Sequence, residues 1–250
     1  MDRQFATTLA RGIQILRCFR PTDYWLTNKE ISLRTRLPRP TVSRLTYTLV
    51  QLDCLNYDTQ AGKYALGTGV LSMAYPMLAP MRIRQVSRPF MKALADAVNA
   101  SVSMGVRNHL TIVHVETCRS AGGEATLPDI GLITPLALSA VGRAYLAVCP
   151  ERERESLFNQ LKVAQPEIWE AQTAQLHQQF QHYRQTGFSS SYGEVRKDVN
   201  AVGVAFQEPI SGKVFSFCLS APASLYSRER FEHELGLRLV RMVQDVVARI

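Results

Sequence analysis

A two-part α+β chain is predicted, with a small basic helical module ahead of a larger mixed domain. Three observations lead there. Positive charge is confined to one end: residues 1–88 hold 13 Lys and Arg against 5 Asp and Glu, whereas residues 89–250 hold 16 of each. The chain up to residue 66 reads as helix, helix, helix, hairpin. Beyond residue 86, helical and strand-like stretches mix without the regular alternation of a doubly wound sheet. A surplus held in one segment is the electrostatic footprint of a nucleic-acid-binding module joined to a neutral partner.

The chain has 250 residues, 46% of them apolar, enough for one large domain or two ordinary ones with real cores. No run approaches the roughly 18–20 apolar residues of a membrane span, and the opening MDRQFATTLARG lacks the apolar core of a signal peptide. A cytoplasmic, membrane-free protein is expected. The five Cys (Cys18, Cys54, Cys118, Cys149, Cys218) form no CxxC pair, which suggests buried thiols and neither a disulfide framework nor a zinc ribbon.

In LARGIQILRCF, residues 9–19, Leu9, Ile13, Leu16 and Phe19 recur three or four apart and predict a first helix with that apolar stripe. In LTNKEI, Thr27 can cap the Glu30 amide while Glu30 reaches back to the Thr27 amide, and Leu26 can staple against Ile31. A short second helix starts there and ends before Pro38. A third begins near Arg39, with Pro40 in its first turn, where a missing N–H costs nothing. Its inner side is Val42, Leu45, Leu49 and Leu52. Pro40, Ser43, Arg44, Tyr47 and Gln51 point away. Two short strands follow, Cys54–Tyr57 and Lys63–Leu66, around a polar turn at Gly62. Three helices and a hairpin make a winged helix-turn-helix. Its third helix carries groups that bond base edges and phosphates. The candidate DNA contacts are Arg34, Arg36, Arg39, Thr41, Ser43, Arg44 and Tyr47, with Lys63 on the wing.

TLARGIQILRCF, then LTNKEISLRTRLPRPTVSRLTYTLVQLDCL, then Tyr57 and YALG, resemble the DNA-binding domain of IclR-type transcriptional regulators. The resemblance continues in ITPLALSAVGRAYLA, GFSSSYGEVRKDVNAVGVAF and SFCLSAP and covers nearly the whole chain. Arg39-Pro40 stands where that family usually has Lys-Ser, and Lys197-Asp198 where it often has Pro-Gly. The resemblance implies a winged helix-turn-helix over 1–67, a linker helix over 68–85 and a GAF- or PAS-like effector-binding domain over 86–250. That second domain would hold a twisted, mostly antiparallel sheet flanked by helices. A homodimer or dimer of dimers on double-stranded operator DNA is implied as well.

Residues 68–88 begin as a helix striped by Val70, Met73, Ala74 and Met77, and Pro76 and Pro80 predict a kink or break near Ala74–Ala79. A helix over 86–98 precedes strands 101–107 and 110–117 turning at Asn108-His109. Residues 119–131 read as loop. Helices are expected over 138–147, 150–162, 167–185 and 227–249, and strands over 199–206 and 213–219.

No catalytic residue, metal or cofactor is assigned. His177 and His182 are five apart, wrong for two ligands on one helical face, and HExxH, GxSxG and Gly-rich phosphate loops are absent. Pairing Cys118 or Cys149 with His114 follows no spacing rule. A pocket is better supported, because period two puts Ser216, Cys218 and Ser220 on one strand face. The resemblance adds Leu136, Ser139, Ala140 and Gly142, and an acidic loop with Ser191, Glu194 and Asp198; Val204 is expected against the ligand's apolar part. The function expected is a DNA-binding transcription regulator whose second domain binds a small organic or aromatic acid. The rival is a small-molecule enzyme with a basic accessory domain, and a nucleoid-type binder would lack the pocket.

Overall fold

The computed structural model describes residues 4–121, 129–209 and 211–250. The chain divides into two compact units, Met1–Pro80 and Met81–Ile250.

The first unit runs α1 (Thr7–Arg17), β1 (Leu26–Thr27), α2 (Asn28–Thr35), α3 (Arg39–Gln51), β2 (Leu55–Asp58), β3 (Lys63–Leu66) and α4 (Thr68–Leu78). The sequence sets where α2 begins. The Thr27 hydroxyl accepts from the Glu30 amide at 3.2 Å, and the Glu30 carboxylate accepts from the Thr27 amide at 2.7 Å, satisfying two orphan donors reciprocally. Leu26 and Ile31 lie buried in the same core. α2 stops at Arg36, which is left-handed at φ 57°, and α3 opens with Pro40 in its first turn.

Two apolar faces differ from expectation. On α1 the core takes Gly12 and Ile15, while Leu9 and Ile13 stand 66% and 43% exposed. Leu16 and Phe19 of the expected stripe do pack against the core beside Ile15, so the packed face is the expected one rotated toward Ile15. On α3, Leu52 lies just past the last helical residue and is exposed. Thr46 takes the core position instead, its hydroxyl donating to the Val42 carbonyl at 2.9 Å. β1 joins the hairpin in a three-stranded sheet ordered β1-β3-β2. α4 continues through Pro76 to Leu78, and the next helix starts at Arg82, so the break falls at Ala79–Met81, at the end of the expected window. Pro80 has no N–H to offer the Pro76 carbonyl.

The second unit runs α5 (Arg82–Ala97), β4 (Ser101–Asn108), β5 (Thr111–Arg119), β6 (Ile133–Pro135), α6 (Ala140–Val148), α7 (Glu151–Ala164), α8 (Pro166–Thr186), β7 (Ser189–Tyr192), β8 (Val199–Gln207), β9 (Val214–Pro222), α9 (Arg228–Arg230) and α10 (Gly236–Val247). Of the loop expected over 119–131, residues 122–128 lie outside the described residues. β6 and β7 are additional strands, and a π turn, Phe231–Leu235, interrupts the expected last helix. The six strands are antiparallel in the order β6-β5-β4-β9-β8-β7.

Period two divides this sheet into two faces. Gly203, Cys218 and Ser103 share one, in register across β8, β9 and β4, and α6 lies on it. Gly203 permits the approach: a Cβ there would sit 2.4 Å from the Ala140 carbonyl oxygen. Met104, Phe217 and Val204 face the other way, toward α5 and α10, and the Ser87 hydroxyl of α5 lies 3.6 Å from Met104 Sδ.

Candidate functional site

On the first unit, Arg39, Pro40, Ser43, Arg44, Tyr47 and Gln51 are all exposed along one side of α3. Tyr47 leaves 68% of its surface in solvent. Among the described residues no ion pair engages Arg36, Arg39 or Arg44. Lys63 is exposed beside the hairpin turn, paired with Asp58, which fixes that turn by accepting from the Gln60 and Ala61 amides at 2.9 and 3.0 Å. Three expected contacts are otherwise occupied or half-covered. Arg34 holds Asp23 with both terminal guanidinium nitrogens, which draws the Asp23 carboxyl down to about 2, and donates to the Cys18 carbonyl at 3.0 Å. It braces the segment between α1 and α2. The Ser43 hydroxyl accepts from Asn28 Nδ2 at 2.9 Å and donates to the Arg39 carbonyl at 3.1 Å. Thr41 is half-buried.

On the second unit a cavity of about 260 Å³ lies where the start of α6 meets the sheet. Five expected residues line it: Ser139, Ala140, Ser191, Cys218 and Ser220. Ser139 caps α6, accepting from the Gly142 amide at 3.1 Å and donating to the Pro135 carbonyl at 2.6 Å. Ser191 lies on strand β7 and not on a loop, and donates to the Leu138 carbonyl at 2.9 Å. Burial pushes the Cys218 thiol up to about 12, so it is an inert wall and not a nucleophile. The Ser220 hydroxyl is buried and, among the described residues, has no hydrogen-bond partner.

Six expected residues stand elsewhere. Leu136 is fully buried core. Gly142 serves packing, since a Cβ there would lie 2.2 Å from the Leu136 carbonyl oxygen. Glu194 is held by the fully buried Arg143 at 2.5 and 2.8 Å. Asp198 is exposed, accepting from Arg196 Nη2 at 2.5 Å, which keeps its carboxyl below the usual range. Ser216 shares the right face but lies beyond the lining, and Val204 is on the opposite face.

Sequence reasoning missed the rest of the wall. His114, Leu132, Ile133, Thr134, Val141, Val195, Arg196, Val199 and Ala201 also line the cavity. His114 is nearly wholly buried, with Nδ1 2.9 Å from Ser103 Oγ and Nε2 3.4 Å from Thr134 Oγ1. Burial draws its imidazole down to about 4, so it is neutral at pH 7. A His amid apolar strand residues was the available signal. Among the described residues, no His, Cys, Asp and Glu cluster could hold a metal ion, and no helix is long and apolar enough to cross a membrane.

Two family models match: the IclR helix-turn-helix domain over residues 8–59, and the bacterial transcriptional regulator IclR C-terminal domain over 76–248. The chain belongs to the IclR family. It is 30% identical over 245 residues to the HTH-type transcriptional regulator TsaQ1/TsaQ2 of Comamonas testosteroni, covering 97% of this chain and 88% of that protein. It is 25% identical to the transcriptional repressor AllR of Escherichia coli K12, over 90% of this chain and 84% of that one. An IclR-family regulator from Brucella abortus superposes with a TM-score of 0.82 at 40% identity, over 100% of this chain and 94% of the other. An IclR homologue from Microbacterium hydrocarbonoxydans, solved with 4-hydroxybenzoate, shares the fold at 19% identity and TM-score 0.73, over 97% of this chain and all of that one. This IclR-family chain is therefore a DNA-binding transcription regulator with an effector-binding C-terminal domain, and the enzyme reading gives way to it.

Proposed function

We propose that the outer side of α3 reads an operator and that the cavity beside α6 takes a small organic acid carrying a single negative charge. Arg44 and Tyr47 face outward from the helix with no side-chain partner among the described residues, as base-reading groups must; Arg36, Arg39 and Lys63 flank them as phosphate contacts. For the pocket, the carrying observation is the buried Ser220 hydroxyl, without a partner among the described residues, lining a half-open cavity that also meets the first turn of α6. The first amides of a helix lack partners within it and its dipole favours an anion there. A carboxylate supplies the acceptor that such donors need, and the 4-hydroxybenzoate held by a fold neighbour supports the same class. The apolar, exposed residues Leu71, Met73, Tyr75 and Met77 of α4 and Leu9 and Ile13 of α1 support assembly as a homodimer or a dimer of dimers. The working compartment is the cytoplasm.

Arg44→Ala weakens operator binding about ten- to a hundredfold while leaving random DNA less affected, because a bidentate base contact is worth about 1–3 kcal/mol of discrimination. Arg36→Ala lowers affinity for every sequence and reduces the salt slope by about one unit. Equal losses on operator and random DNA for Arg44→Ala would refute its base-reading role. Gel shift and footprinting upstream of the protein's own gene, over a salt series, measure both.

For the pocket, Ser220→Leu stays folded, binds operator and no longer responds to acids that shift wild-type binding. A ligand moves a conformational equilibrium only through its differential affinity for the two states. An unchanged acid affinity by calorimetry, in a variant with an unchanged melt, would place the site elsewhere.

A further inference from the structure

We propose that His114 is the specificity-determining residue of this pocket, reading an uncharged hydroxyl at the end of the effector opposite its carboxylate. The inference rests on the acid reading of the cavity given above. Three features of the wall carry it.

The first is a weakly held nitrogen. Ser103, on the same sheet face but outside the cavity lining, holds Nδ1 at 2.9 Å, whereas among the described residues Nε2 has only the Thr134 hydroxyl at 3.4 Å, beyond the ordinary hydrogen-bond range. Both His114 and Thr134 line the cavity.

The second is spacing. Ser103 pairs directly with Cys218 on β9, so Ser220 is its diagonal neighbour, about 7–8 Å away. His114 comes from β5, on the far side of β4 from β9. The histidine and the unpartnered Ser220 hydroxyl are thus two polar stations separated by roughly 8 Å or more of apolar wall, a gap that one six-membered ring with substituents at opposite ends can bridge.

The third is charge. Among the described residues lining the cavity the cation is Arg196, and it holds Asp198. Burial keeps the imidazole neutral, so a second carboxylate at the His114 end would meet no compensating charge. A hydroxyl also suits either tautomer. If Ser103 donates to Nδ1, Nε2–H donates to the ligand oxygen; if Nδ1–H donates to Ser103, Nε2 accepts the ligand's proton. A carboxylate could serve only the first arrangement. The effector class is therefore a monoanionic hydroxy acid of about one ring's length.

The test is titration calorimetry on the full chain with benzoate, 4-hydroxybenzoate and terephthalate, matched probes that differ at the far end. Wild-type protein binds 4-hydroxybenzoate about tenfold or more tighter than benzoate and rejects terephthalate. His114→Phe, of similar volume, binds the two monoacids equally. His114→Gln, whose amide can still donate and accept, keeps part of the preference, and thermal melts of both variants confirm folding. Equal binding of benzoate and 4-hydroxybenzoate by wild type, tight binding of terephthalate, or a preference that survives in His114→Phe overturns the role of His114 while leaving the acid pocket standing. Absence of binding by all three probes to the wild type overturns the acid reading itself, and the role of His114 with it.

Discussion

Arg143→Leu lowers the stability of the effector unit by roughly 3–5 kcal/mol, the cost of leaving a buried charge without its partner. Arg143 has no exposed surface, and every nitrogen of its guanidinium is used. Nε donates to the Ala137 carbonyl at 3.0 Å, Nη1 to the Ser190 carbonyl and Glu194 Oε1, both at 2.8 Å, and Nη2 to Gln172 Oε1 at 3.1 Å and Glu194 Oε2 at 2.5 Å. Truncation strands two carbonyls, an amide oxygen and a largely covered carboxylate at once. In a unit of this size the melting temperature drops by about 10 °C. Arg143→Lys recovers only part of this, because an ammonium has three donors at one point and cannot reproduce the planar fork. Removing Glu194 together with Arg143, as a double Leu variant, restores part of the loss, since it is the orphaned charge that costs most. Effector affinity falls as well: Glu194 immediately precedes Val195 and Arg196, which form part of the cavity wall. Denaturant melts measure the first effect and calorimetry the second. A loss of about 0–1 kcal/mol, the range of a surface ion pair, would show that the network is not what holds this segment.

Local chemistry made the winged helix-turn-helix legible. Thr27 and Glu30 fix the start of α2, Pro40 fixes the first turn of α3, and Gly62 at φ 64° fixes the hairpin turn, each acting within a few residues of itself. Where the local pattern leaves the packed face open, tertiary packing chooses, as on α1, where Ile15, Leu16 and Phe19 pack and Leu9 and Ile13 do not. The pocket depends on long-range register and was legible only in part. Ala201 pairs with Ser220 and Val204 with Phe217, so Val204 turns its back on the serines, a fact set by how β8 meets β9. β7 is a run of serines with no alternation. Its side chains are buried because Ser189 and Ser191 bond the Ala140 and Leu138 carbonyls at the start of α6. Period two also misleads at His114 and Glu116. A bulge in the β4–β5 pairing sets His114 opposite Gly105 but Glu116 opposite Met104, which sends them to opposite faces. There Glu116 is buried between Arg84 and Arg88 of α5 at 2.6 and 2.5 Å.

The same buried histidine makes the effector unit acid-sensitive. Folded, His114 titrates near 4 because burial disfavours its charged form; unfolded, it returns to 6.5. Between those values the unfolded chain takes up a proton that the native state refuses, so stability falls as pH drops through about 6.5 and the loss is complete near 4. Below that both states are protonated and the contribution stays constant. The full difference is about 3 kcal/mol, because each tenfold weakening of proton binding is worth about 1.36 kcal/mol. Carboxylates such as Asp23, in the other unit, and Glu234 also titrate at the acid end, through ion pairs that stabilise the folded state above their unfolded values. A total stability curve therefore mixes several groups. The contribution of His114 is isolated by the difference between wild type and His114→Gln, which keeps a hydrogen-bonding side chain toward Ser103 and carries no proton to gain. Denaturant melts at closely spaced pH values from pH 7.5 to 4 give the two curves, with the expected change in their gap, about 3 kcal/mol between pH 7 and pH 4, in the direction of the wild type losing more. Parallel curves would mean that the imidazole is solvated in the native state and already protonates near its unfolded value.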